Sequence, residues 1–216
     1  MNEGIAEENK RLTTRGDEIA IEQCRRGEID GLELLAQRYQ VTSLRLAFLL
    51  TGDLDAAQDI VQESFIRAYQ RIHQFHAGQP FGPWFHRIVV NLSHQHRRAP
   101  AQNRVQAWEE GNDTRHSSDP LTLPETVVEQ KEMHDTMQAA INDLPKKQRE
   151  VIILRYYLSY ADQEIADIVR CTHAAVRQRL HAGRTSLHKI IRQQYPWLIN
   201  EYQLFADTAT MNRGEA

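Results

Sequence analysis

The segment from Asp162 to Arg184, DQEIADIVRCTHAAVRQRLHAGR, leaves the chain few structural choices. Ile165, Ala166 and Val169 fall at spacings of one, three and four and form an apolar stripe on one short helix. Val176, Leu180 and Leu187 form the same kind of stripe on the next. The joint between them, Arg170-Cys171-Thr172, is too short for the two helices to run antiparallel for long. Ala166 stands ten positions before the β-branched Val176, a pairing that suits two helices crossing at close range. Thr172 can cap the second helix. Opposite its stripe, that helix carries Arg177, Gln178, His181 and Arg184, donors suited to base edges and phosphates. The pattern reads as a helix-turn-helix whose second helix enters the major groove. An ordinary helical hairpin with a solvated basic face would show the same apolar spacing.

The remaining periodicity is also helical, so the expected fold is all-α. Helices are predicted over 17–27, 28–50, 55–73 and 83–98, punctuated by Gly27, Gly52 and the stretch from Gly78 to Pro83. Residues 99–124 hold Pro100, Pro120 and Pro124 among Gly111, Asn112, Ser117 and Ser118, a linker composition. Helices are expected again over 125–144 and 146–158, with Pro145 at a tolerated first-turn position. The expected organisation is two small helical domains joined by a flexible linker, the second containing the helix-turn-helix. The boundaries are a polar tail 1–16, a first domain 17–98, a linker 99–128, a second domain 129–192 and a C-terminal extension 193–216. The extension opens with the aromatic run YPWLINEYQLF, residues 195–205.

A net charge of −3 over 216 residues seems unfavourable for nucleic-acid binding, but the distribution is not uniform. Residues 61–104 carry 6 Lys/Arg against 1 Asp/Glu, and 145–194 carry 10 against 4. The intervening 105–144 carry 2 against 9, and residues 1–60 carry 7 against 12. Phosphate responds to the field within a Debye length of about 8 Å, not to the chain total. Two basic blocks separated by an acidic one imply two nucleic-acid contacts. No apolar run approaches membrane-spanning length, and MNEGIAEENKRL lacks the apolar core of a signal peptide, so a cytoplasmic protein without membrane insertion is expected. Cys24 and Cys171 are too few for a Cys-based metal site and too far apart to suggest a disulfide.

On the helix over 55–73, Ile60, Val61, Phe65, Ala68, Tyr69 and Ile72 form the buried stripe. Asp59, Gln62 and Glu63 fall at i, i+3 and i+4 and share an outer patch. That patch reads either as solvated surface or as a binding site. Paired carboxylates alone do not make an enzyme, and no nucleophile or metal cluster accompanies them. In PFGPWFHRIVVNLSHQHRR (80–98), Trp84, Phe85, Ile88, Val89 and Leu92 form the core stripe, while Arg87, Asn91, His94 and Arg98 share the other face. With Phe75, His76 and Phe81 in the preceding loop, this surface suits single-stranded nucleic acid: aromatics stack on bases, amides read edges and arginines hold phosphates. Trp84 reads as core, whereas for Phe75 and Phe81 core and nucleic-acid contact both stay open. His73 and His76 lack a further metal ligand nearby.

In order and content these elements resemble the extracytoplasmic-function sigma factors, the small two-domain class of bacterial RNA polymerase sigma subunits. The likeness runs through Gly52-Asp53, the stretch from Ala57 to Tyr69, Phe81, Trp84-Phe85, Arg87-Ile88, Asn91 and Arg97-Arg98. It continues through Leu144-Pro145, Gln148-Arg149, Leu154 to Tyr157, Glu164 to Ala166, and Val176 to His181. The resemblance implies that Asp59, Gln62 and Glu63 dock on the clamp of core RNA polymerase. It implies that Phe75, His76, Phe81 and Asn91 capture a flipped base of the minus-ten element, with Arg87 and Arg98 on the nearby backbone. Arg177, Gln178 and His181 would read the minus-thirty-five element, flanked by Thr172, His173 and Arg184. Core polymerase, promoter DNA and an anti-sigma factor are the implied partners, with no catalytic residue, metal or cofactor. The chain departs from the usual family pattern at Gln95, where Asp is usual, and at Arg170, where Gly is usual. It departs also at Asp162, where an aromatic is common, and at Ala182-Gly183, where Arg-Ala is frequent. Two other readings share parts of this pattern: a helix-turn-helix regulator acting on duplex DNA without polymerase, and an interaction protein whose aromatic tail binds a regulator.

Overall fold

The computed structural model describes residues 16–98 and 136–196, and among them every regular element is helical. The elements are α1 over 16–25, α2 Ile29–Thr51, α3 Leu54–Gln70, a 3-10 turn Ile72–Gln74, α4 Phe81–Arg98, α5 over 136–142, α6 Lys146–Ile152, a π-helical turn Ile153–Tyr157, α7 Asp162–Val169 and α8 His173–Gln194. The N-terminal tail, most of the expected linker and the aromatic extension from Trp197 onward lie outside the described residues. Packing divides the chain into two compact units. Among the described residues, one joins 16–98 with Ile153–Val176, and the other joins 136–152 with 177–196.

In the first unit, α1 crosses α2 at Gly31. A Cβ there would lie 2.3 Å from the Ala20 carbonyl oxygen, so only glycine admits this approach. Gly52 ends α2 in the left-handed conformation at φ 76°, its N–H bonding the Phe48 carbonyl at 2.7 Å. Asp53 then caps α3, its carboxylate accepting the Ala56 N–H at 3.0 Å. The α3 stripe is as expected at Ile60, Val61, Phe65 and Ala68; Tyr69 is half-buried, and Ile72 is buried from the following 3-10 turn.

Helix α4 has two buried faces. Phe81, Phe85, Val89 and Leu92 join an aromatic cluster in which Phe65 and Phe85 lie 4.5 Å apart between ring centroids and Tyr39 and Phe81 lie 5.2 Å apart. Gly82, His86, Val90 and Ser93 form a second buried line, and Trp84 and Ile88, expected in the core, are half-buried beside it. The helix packs against α2, α3 and α7, which accounts for two buried lines where one stripe was expected.

The sequence predicts one helix through 146–158. Instead, the Leu158 N–H bonds the Ile153 carbonyl five residues back at 3.3 Å, and the wider turn swings the chain into Ser159-Tyr160-Ala161. In the second unit, the buried Arg149 guanidinium donates to the Leu144 carbonyl at 3.1 Å and to that of Asn142, satisfying acceptors that the end of α5 leaves open. Gly183, one of the family departures, has a packing reason: a Cβ there would stand 2.9 Å from Ile152 Cγ1.

Candidate nucleic-acid interface

On α3, Asp59 and Gln62 are exposed and Glu63 is half-buried, all opposite the apolar stripe. Arg67 donates through Nε to the Glu63 carboxylate at 2.6 Å, one helical turn on, so part of the patch charge is already engaged. The patch faces away from the helix core and holds a net acidic, amide-bearing surface.

The segment leading into α4 is built differently from the expected aromatic loop surface. Phe75 and Phe81 retain only 4% and 2% of their exposure, and each meets the other and Trp84 at centroid distances between 5.3 and 5.8 Å. The Arg25 guanidinium fixes the Phe75 carbonyl at 2.6 Å. Both rings are core, so neither is presented to a base here; burying two phenyl rings outweighs leaving them in water by about 1.5–3 kcal/mol each. His76 is exposed, and Arg87 and Asn91 are half-buried one turn apart on α4. Arg98 ends that helix, and its side chain lies outside the description. The Arg87 guanidinium is held below its ordinary pKa by burial first and by the neighbouring Arg170 second, with Asp167 opposing.

The helix-turn-helix joint forms as read from the sequence. Thr172 Oγ1 accepts the Ala175 N–H at 3.2 Å and caps α8. The Cys171 N–H returns to the Ala166 carbonyl at 3.0 Å. Ile165, Ala166 and Val176 are buried, Val169 is half-buried, and the unanticipated Ile168 is buried as well. Arg170 occupies the left-handed region at φ 52°, the conformation that makes glycine common at this position, at a cost of about 1–2 kcal/mol for an L side chain. Arg177, Gln178, His181 and Arg184 are all exposed along α8, as are Thr172 and His173. His173 Nε2 stands 3.7 Å from the Asp162 carboxylate, which ties the start of α8 to the start of α7.

Sequence reasoning missed a chain of polar groups within the first unit, buried at Asp17 and His86 and half-buried at Tyr39 and Tyr160. The Asp17 carboxylate accepts from Arg38 and, at 2.6 Å, from the Tyr39 hydroxyl. Tyr39 meets His86 edge-on at 6.0 Å, and His86 Nδ1 lies 2.6 Å from the Tyr160 hydroxyl. Burial lowers the His86 pKa to about 4, so the ring is neutral at pH 7. Burial, then Asp17, raises the Tyr39 phenol, and burial raises that of Tyr160, so both remain protonated. These residues are 21 to 74 positions apart, and no local pattern could have announced them.

Residues 35–103 match the Sigma-70 region 2 family and residues 134–187 the Sigma-70 region 4 family. The chain is 28% identical over 186 residues to the RNA polymerase sigma-H factor of Pseudomonas aeruginosa, covering 84% of this chain and 96% of that relative. It is 32% identical over 177 residues to the ECF RNA polymerase sigma factor SigW of Bacillus subtilis, covering 80% and 95%. Among solved structures, CnrH in complex with the cytosolic domain of CnrY aligns with a TM-score of 0.61 at 20% identity, over 83% of this chain and 99% of that one. The sigma factor RpoE in complex with the anti-sigma factor NepR from Bartonella quintana aligns at 0.56 and 19%, over 74% and 98%. These two share the fold. Region 2 followed by region 4, nearly the full length of relatives at this identity, places the chain in the family of extracytoplasmic-function RNA polymerase sigma factors.

Proposed function

We propose that the chain joins core RNA polymerase in the cytoplasm, directs it to promoters and promotes strand opening at the start site. The observation that carries this is the succession of both sigma regions within one chain. In this reading residues 17–98 and 129–192 are the working domains. Asp59, Gln62 and Glu63 dock on the polymerase. Asn91 takes an unstacked base of the minus-ten element, and Arg87, Arg98 and His76 hold its surroundings. Phe75 and Phe81 shape this surface from beneath and do not stack on DNA. Arg177, Gln178 and His181 read the minus-thirty-five duplex, with Thr172, His173 and Arg184 on phosphates.

The chain breaks no bond in this scheme. It acts by differential binding, holding opened DNA more tightly than closed DNA, which shifts the melting equilibrium by the difference of the two free energies. An anti-sigma factor is the expected regulator; the RpoE relative is held by one, which supports the reading. No helix among the described residues is long and apolar enough to cross a membrane. The test is Asn91→Ala in reconstituted holoenzyme, on duplex and on pre-opened bubble templates. Loss on the duplex alone marks a role in melting, and loss on both marks base reading. Full activity on both templates removes Asn91 from the mechanism.

A further inference from the structure

We infer that Asp162 is a positioning residue for promoter binding: it holds the His173 ring at the start of α8 so that the protonated ring gives one N–H to Asp162 and the other to a DNA phosphate. Binding at this point is thereby coupled to uptake of a proton. The inference rests on the reading of α8 as the minus-thirty-five reader and adds to it the residue that aims His173.

His173 is the first residue of α8, and its Nε2 stands 3.7 Å from Asp162 Oδ2. Across the same carboxylate, Arg155 Nη1 stands 3.7 Å from Oδ1. Arg155 is itself fixed, since it donates to the Tyr160 carbonyl at 2.9 Å. The Asp162 side chain keeps 22% of its exposure against 45% for His173, so the carboxylate is the inner member of the pair and the ring the outer one. The capping of both helices is done by other groups. Glu164 accepts the Ala161 N–H at 2.8 Å at the start of α7, and Thr172 Oγ1 accepts the Ala175 N–H at the start of α8. Asp162 Oδ1 is buried with no hydrogen-bond partner among the described residues. The carboxylate is therefore not consumed by a cap, and its charge is directed at Arg155 and His173.

A neutral imidazole has one N–H, and a protonated one has two. With Asp162 facing Nε2, a neutral ring that carries its proton there offers a phosphate only the Nδ1 lone pair. The protonated ring can donate to both anions at once, as charge-assisted bonds. Among the described residues, the charged groups that bear on the ring are Asp162 from α7, Arg155 across that carboxylate and Arg177 one turn later on α8. The two arginines and the free N–H groups of the first turn of α8 all oppose a positive ring. Asp162 offsets them, and a phosphate adds a second negative charge. Imidazoles change charge between about pH 5 and 8, so the contact should strengthen as the pH falls through that range.

The test uses reconstituted holoenzyme and a duplex carrying a promoter whose start site has been mapped with it. Affinity is measured by fluorescence anisotropy between about pH 8 and about pH 6 for the parent, His173→Gln, Asp162→Asn and the double variant. His181 is present in all four proteins and cancels in the comparison. Removing Asp162 also removes a negative charge beside the DNA, so the readout is the pH dependence and not the affinity at one pH. The parent should gain roughly two- to fivefold more affinity than His173→Gln as the pH falls, the size of one exposed ion pair, and the excess should shrink as salt is raised. Asp162→Asn should lose most of that excess, and adding it to His173→Gln should change the pH dependence no further. A pH dependence equal in the parent and His173→Gln overturns the inference. So does one that Asp162→Asn leaves intact, because His173 then acts without its positioning residue. Arg177→Ala in the same titration judges the reading of α8 separately. If Arg177→Ala weakens binding while the histidine comparison is flat, the proton-coupled contact alone fails. If Arg177→Ala binds like the parent at every pH, the reading of α8 fails and takes the contact with it.

Discussion

Acid should destabilise this protein through the buried side chain of His86. His86 has a pKa of about 4 in the folded chain because burial disfavours its charged form, against an ordinary value of 6.5. The unfolded chain therefore binds a proton at His86 from about pH 6.5 downward, while the folded chain stays neutral until about pH 4. Stability linked to this group is complete above pH 6.5 and is lost as the pH falls through that window. Integrating the difference gives a loss of about 2 kcal/mol at pH 5 and about 3 kcal/mol near pH 4. The groups around His86 do not cancel this. The rings against it, Tyr39, Tyr160 and Phe85, stay uncharged, and the Asp17 and Glu164 carboxylates favour the protonated phenols of Tyr39 and Tyr160 respectively. The assay is urea unfolding of the parent chain and of His86→Phe between pH 7.5 and 5. Other titrations are common to both proteins, so the stability difference between them should shift by about 2 kcal/mol in favour of the variant as pH falls. A pH-independent difference would refute the reasoning, because His86 would then titrate alike in the folded and unfolded chains.

Three further outcomes are expected. Asp59→Lys with Glu63→Lys should leave stability within about 0.5–1 kcal/mol, losing only the half-buried Glu63–Arg67 pair, yet weaken capture of core polymerase in a pull-down. Gly183→Ala should gain about 1 kcal/mol of helix propensity but lose about 1–3 kcal/mol by overpacking against Ile152, so its thermal midpoint should fall; a rise would show that Ile152 yields freely. Arg177→Ala should cost about 1–3 kcal/mol and relax preference at one base pair in a randomised-duplex selection with the full chain, whereas Arg184→Ala should weaken all sequences alike and flatten the salt dependence.

The sequence carried the helices well because apolar spacing, capping residues and glycine stops are local. Thr172 at the joint, Asp53 before α3 and Gly52 after α2 all act within four residues. The same locality explains the misplaced aromatics. Phe75 and Phe81 flank a loop, where no helical period says which way a ring points, and the core took both. It also explains why one stripe was read on α4 where there are two: the second holds His86, whose partner Tyr160 lies 74 positions away. Gly183 looked like a propensity defect because its reason, Ile152, lies 31 residues earlier on another helix. His86 and Tyr160 gave no signal because a lone histidine and a lone tyrosine have no spacing to read. The exposed donors of α8 were legible for the opposite reason: surface chemistry on a regular helix follows its period.

The most direct test of the account is whether the chain gives core polymerase a start site. Purified core enzyme lacking any sigma subunit is mixed with the full chain and with genomic fragments of the source organism, and the 5′ ends of the transcripts are mapped. The expected result is discrete start sites that appear only with the chain present and disappear with the Asp59→Lys, Glu63→Lys double variant. Binding of the chain to duplex DNA with no polymerase-dependent start sites would contradict it, and would point to a helix-turn-helix regulator instead.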